Sequence, residues 1–268
     1  VLAGKLPSAD GQLGKKMAGK DGSGETTISI VPLVELPSWK QVQPLVVASS
    51  AVFFRAVVLQ LSLSAAAAMA ARGGEHLAEG AAASVAAHQI GIQLWLLCSF
   101  FCDSLAAASQ GLVADALGRD DPDEARDVST TVFLYSTVLG LFLAALLQLG
   151  ETTHWLFDFF TDNPSTQQAL AKILPLIVVA QPVNALVFAA DGILQGASQF
   201  PFQARAMALS GFTGVATFLA LEAGGRDVDT LVHVWTALIA LQAMRGLTSL
   251  YKLVEKDGPI DLFRAQVD

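Results

Sequence analysis

The chain has 268 residues, of which 53% are hydrophobic and only 15% charged, with a formal net charge of −8. A soluble domain places about a quarter of its residues in Asp, Glu, Lys and Arg, so this composition, with its apolar residues bunched in long runs, points to a membrane protein. The acidic balance and the lack of a basic patch interleaved with aromatics exclude nucleic acid as a partner.

Residues 1–43 are polar and rich in glycine (Gly4, Gly11, Gly14, Gly19, Gly22 and Gly24), which predicts a flexible linker. GKDGSGET at 19–26 has the look of a phosphate loop, but no Lys follows its last Gly and no apolar strand precedes it, so no phosphate site is expected. Val1 replaces the usual Met, and the first 36 residues hold no apolar signal core, so we expect a piece of a longer chain.

Six segments follow, at about 44–71, 81–117, 128–150, 168–196, 200–221 and 229–253. Each is long enough to cross a hydrocarbon core, which takes ~20 helical residues. Backbone polar groups in lipid must be satisfied within helices or closed barrels. Ala- and Leu-rich runs without two-residue alternation select helices, so the expected fold is an all-α membrane protein, a six-transmembrane-helix bundle. Between the spans, RGGEHLAEG at 72–80 reads as a glycine-broken turn, and GRDDPDEARD at 118–127 as a helix start rich in acids. DDPDE at 120–124 has no second acidic cluster to complete a magnesium–diphosphate site. TDNPST at 161–166 breaks the chain before the fourth span, and a polar tail fills 254–268.

Cys98 and Cys102 share a helix face at a spacing that suits packing, not redox or metal chemistry. His76, His88, His154 and His233 are too scattered for a ligand cluster, and no cofactor or metal is expected. Of the 16 Lys and Arg residues, 12 fall on one side, among them Lys40, Arg126, Arg205 and Arg245, and 3 (Arg72, Lys172 and Arg226) on the other, with Arg55 inside a span. The positive-inside rule then puts both termini on the cytoplasmic or stromal side.

Ionisable groups inside spans cost ~2.5–3.5 kcal/mol on insertion scales and are functional candidates by default. Arg55, Asp103 and Asp191 qualify. On the fourth span Asn184, Asp191 and Gln195 fall within an arc of about 40°, with Gln181 at its edge and Val179, Val183, Leu186 and Ala190 opposite. Such a stripe suits protein or a wet cavity, and equally a satisfied structural carboxylate. Pro175 and Pro182 remove backbone donors and are expected to bend this helix beside the acid. On the second span Asp103 shares a broader polar face with Gln89, Gln93 and Gln110. Arg55 is a possible counter-charge for either acid. The candidate transport pathway is therefore Asp191, Asn184, Asp103, Gln89, Arg55 and Gln195. A carboxylate in a wet cavity could take up and release a proton in competition with a cationic solute or Na⁺.

Four stretches carry a family resemblance: AAHQIGIQLWLLCSFFCDSLAAASQGLVA at 86–114, GRDDPDEAR at 118–126, LFDFFTDNP at 156–164 and QPVNALVFAADGILQGASQF at 181–200. In this order and spacing, over about 38–253, they resemble the multidrug and toxic compound extrusion (MATE) family, in its plant and algal detoxification and citrate-efflux branch. The resemblance implies the C-terminal lobe of a twelve-helix antiporter, with the N-terminal lobe missing. It implies a small organic solute exchanged for H⁺ or Na⁺ as partners, beside the lipid bilayer of a plasma, vacuolar or plastid envelope membrane. Arg55, His88, Gln89, Asp103, Asn184 and Asp191 occupy the family's characteristic polar positions. The chain departs in carrying Arg55, and no acid, on its first span. In the prokaryotic branch that this subgroup most resembles, the coupling carboxylate lies in the first lobe.

The leading function is secondary efflux antiport, not enzyme catalysis. A lipid-linked oligosaccharide flippase of the same superfamily would need a strongly cationic cavity. An intramembrane enzyme would need paired acidic or His/Glu motifs, which do not occur. A non-transporting fragment is the remaining alternative.

Overall fold

A computed structural model describes residues 38–72, 78–224, 229–256 and 258–262. The expected linker over residues 1–37 and the tail beyond 262 lie outside the described residues, as does Arg226. The chain divides into two compact units at Val46/Val47, and the first is described only from Ser38 onward, the opening of one helix.

The helices are α1 (Trp39–Arg72), α2 (Ala78–Gly118), α3 (Pro122–Thr152), α4 (Trp155–Phe160), α5 (Pro164–Gly196), α6 (Phe200–Gly224) and α7 (Thr230–Val254). Helix α1 starts at Trp39, ahead of the expected 44, where the Gln41 side chain reaches back to Ser38. The Gln41 Oε1 accepts from the Ser38 backbone N–H at 2.9 Å and from its hydroxyl at 3.1 Å. The one-and-a-half-turn α4 has no counterpart among the expected segments; His154, in the left-handed region at φ 59°, starts it.

Two linkers act as helix starts. Asp121 accepts from the Glu124 N–H at 2.9 Å with Pro122 as the next residue, and Asn163 accepts from Ser165 and Thr166 at 2.9 and 3.1 Å ahead of Pro164. Both use the side-chain cap that satisfies orphan donors and the proline that tolerates the first turn.

Helix α5 is the axle, packed against α2, α3 and α7, while α6 packs on α7. It runs unbroken through Pro175 and Pro182, and Gln181 donates to the Ile177 carbonyl at 3.0 Å. In its most apolar stretch 61% of residues are buried, against 6% for α1, which lies at the rim of the unit. Glycines set the closest approaches: a Cβ on Gly192 would fall 2.3 Å from the Ala106 carbonyl oxygen, and one on Gly140 would fall 2.7 Å from Pro182 Cα. Those notches let α2 and α3 pack backbone to backbone on α5, as small residues do between helices in lipid.

The outside is apolar. Phe53, Phe100, Phe142, Val179 and Phe212 are each more than 60% exposed. Five helices, α1, α2, α3, α5 and α6, are long and apolar enough to cross a membrane. The sixth expected span, α7, has the length, but His233, Gln242 and Arg245 lower its hydropathy. This is an all-α membrane protein, with Asn184, Asp191, Gln203, Gln242 and Arg245 buried in its interior and Gln89, Gln93 and Asp103 of α2 exposed.

Candidate functional site

Two apolar clusters fill the interior. Along α5 the first ends at Ala185 and the second begins at Ala189. The polar groups of the bundle gather at that seam. Asn184, fully buried, donates to the Ser99 hydroxyl of α2 at 3.3 Å and accepts from Gln242 of α7 at 2.8 Å. Gln242 in turn accepts from Arg245 at 3.3 Å. Two turns further along, Asp191, 3% exposed, is the acceptor on which α1, α6 and α7 converge. Arg55 of α1 and Arg245 of α7 both donate to its Oδ2. Gln203 of α6 donates to its Oδ1 at 3.3 Å and its carbonyl at 3.0 Å, and Ser249 of α7 donates to Oδ1 at 3.5 Å.

Arg245 is itself 6% exposed, with its guanidinium carbon 5.3 Å from the centroid of the Phe188 ring. A buried charge is tolerated only when paired and hydrogen-bonded, and here each partner supplies that for the others. Beside the cluster is a cavity of about 280 Å³ lined by Arg55, Asp103, Gln110, Phe188, Asp191 and Gln195 together with Ala106, Ala107 and Gly192. Both guanidiniums pair with Asp191, while Asp103, an exposed residue of α2, borders the same cavity as Arg55.

Arg55, Asp103, Asp191 and Gln195 thus meet in one cavity, and Asn184 joins them through Gln242 and Arg245. Gln89 does not. It is exposed, and 14 residues of helix from Asp103 amount to about 21 Å along α2. The assignment of Arg245 to the aqueous side is corrected: it lies inside α7 and is an ion-pair partner of Asp191. Gln203, Gln242 and Ser249 were likewise missed. Their signal was present, since Gln242, Arg245 and Ser249 fall within an arc of about 60° on α7, a polar stripe facing the one on α5. Among the described residues no three His, Cys, Asp or Glu side chains gather as a metal site. Cys98 and Cys102 are free and buried.

An apolar helical exterior around a charged, hydrogen-bonded seam defines a polytopic membrane protein with a polar interior. Residues 56–220 match the MatE family, and the chain belongs to it, in the plant DETOXIFICATION-type branch. Among relatives from Arabidopsis thaliana, Protein DETOXIFICATION 44, chloroplastic, is 32% identical over 206 residues, covering 76% of this chain and 37% of that protein. Protein DETOXIFICATION 45, chloroplastic, is 29% identical over 205 residues, covering 76% of this chain and 34% of that protein. The chain therefore spans little more than a third of the length of these relatives. The crystal structure of the eukaryotic MATE transporter AtDTX14 shares the fold, with a TM-score of 0.64 at 15% identity over 75% of this chain and 43% of that one.

Proposed function

We propose that the chain is the C-terminal, six-span lobe of a secondary efflux antiporter that exports a small organic solute in exchange for H⁺ or Na⁺. The observation that carries this reading is the Asp191 cluster, buried charges opening on a polar cavity inside a lipid-facing shell. Transporters build their paths from such groups, because isolated intramembrane charge is costly and paired charge facing a cavity is not. In this reading α7 is the sixth span, and its inner polar face completes the site. Both termini then lie on the cytoplasmic or stromal side, where most of the remaining Lys and Arg residues fall. Two relatives are named chloroplastic, which makes a plastid membrane the first place to look for this protein.

The engagement of both guanidiniums by Asp191 speaks against a flippase, which would need unpaired positive charge for a diphosphate. It also bears on coupling. The Asp191 oxygens already accept from Arg55, Arg245, Gln203 and Ser249, so a proton or Na⁺ binding there has to displace one of them. Residues outside this lobe are then the better place for the coupling ion.

The test uses the full-length protein in proteoliposomes, with solute efflux followed under an imposed pH gradient and then a Na⁺ gradient. Efflux driven by one gradient, altered in solute selectivity by changes at Gln195 or Asp103, is the expected result. Response to neither gradient refutes antiport.

A further inference from the structure

Beyond α7 the chain turns back on the bundle. Gly258 donates to the Glu255 carbonyl at 2.7 Å, and a Cβ at this glycine would fall 2.7 Å from that oxygen and 2.8 Å from the Lys252 carbonyl. The turn therefore admits glycine and little else. Ile260, 2% exposed, joins the second apolar cluster with Leu253, Val113 and Ala125. The Leu262 N–H closes the loop on the Leu253 carbonyl at 3.0 Å. From α3, Arg126 reaches across: its Nε donates to the Asp261 carbonyl at 3.0 Å and Nη2 to the Ile260 carbonyl at 3.5 Å, while Nη1 holds Asp123 at 2.6 Å. Arg126 is only 7% exposed, so its bonds to the strap are shielded from water and are more than a surface ion pair.

We propose that residues 258–262 are a lock on α7 that keeps Arg245 and Ser249 on Asp191, and that release of this strap frees the buried charge cluster to rearrange. The reason is helical spacing. Arg245, Ser249 and Leu253 follow one another at intervals of four and lie in a row on one face of α7. The first two touch Asp191, and the third is the residue the strap grips. A helix is stiff over two turns, so a slide or rotation that parts Leu253 from the strap also draws Ser249 and Arg245 off the carboxylate. The strap has a second role as a wall. Leu262 lines a cavity of about 650 Å³ between α3, α5 and α7, together with Phe133, Val187, Ala190 and Gly246. This inference rests on the reading of the Asp191 cluster as the working centre of the lobe, but its test does not use transport.

Amide hydrogen exchange of the full chain in lipid nanodiscs compares wild type with Arg126→Gln and Gly258→Ala. The expected result is exchange roughly tenfold faster both in the strap and in the 245–254 peptide, with the α5 peptide 164–180 unchanged. Acceleration confined to the strap, with 245–254 at the wild-type rate, overturns the lock. A uniform rise across α2, α3 and α5 overturns it too, because Arg126 would then only support folding. Gly258→Ala leaves Arg126 and the start of α3 intact, so it separates the strap from the folding of α3. Failure of that variant to fold also overturns the proposal, since a lock is dispensable for folding.

Discussion

Replacing Asp191 by Asn keeps the side-chain shape and an acceptor oxygen but removes the one charge that two arginines share. Arg245 is 8% exposed at its side chain and Arg55 19%, so neither guanidinium recovers its hydration when its partner is neutralised. Breaking a buried pair by removing one member costs about 3–5 kcal/mol. Asp103 borders the same cavity and offsets part of that, so about 3 kcal/mol is the expected loss. At about 2–4 °C per kcal/mol for a chain of this size, the melting temperature falls by roughly 6–12 °C. The assay is thermal unfolding in lipid nanodiscs of wild type, Asp191→Asn, Arg245→Met and the double variant. The double variant is expected to lose less than the sum of the two single losses, by about 0.5–3 kcal/mol. A single loss below about 1 kcal/mol, or strict additivity, would refute the claim that these charges hold one another in place.

Gly192→Ala is expected to force α2 off α5, since the new methyl meets backbone, and to lower stability by about 1–3 kcal/mol or more. Gly111→Ala, with nothing within 4 Å of its Cβ, is expected to stabilise by up to about 1 kcal/mol, and paired melting curves check both. Leu174→Ala, at a fully buried position, is expected to cost about 2–5 kcal/mol in the same assay. Gln89→Ala is expected to shift stability by no more than about 0.5 kcal/mol and to leave efflux by the full-length protein unchanged. A strong transport defect at Gln89 would show that the pathway extends well beyond the cavity.

Local rules carried much of this fold. Asn163-Pro164 and Asp121-Pro122 are helix starts that any chain would use, and the α5 stripe of Asn184, Asp191 and Gln195 follows from helical geometry alone. Arg245 escaped because a cation near the end of an apolar run is ordinarily an interfacial anchor, and only packing against α5 reveals it as an interior charge. The strap escaped for a similar reason. Arg126 looks like a linker cation until the main chain of Ile260 and Asp261, more than 130 residues away, is folded onto it. Helix α1 begins before the expected 44 because Gln41, three residues on from Ser38, accepts its backbone N–H, a local contact within a stretch expected to be linker. Gln89 shares a polar face with Asp103 but not a depth, and one-dimensional periodicity does not measure depth.

The backbone contacts at Gly192 and Gly140 have a practical consequence for spectroscopy. Helices that touch main chain to main chain have no side-chain layer to deform, so α2, α3 and α5 cannot slide past one another by small repacking steps. They form a fixed frame of reference. A spin-label or fluorophore pair confined to those three helices should report a constant distance whatever the gradient or solute. A partner label on α1 or α7, read against that frame, is where a change would be seen.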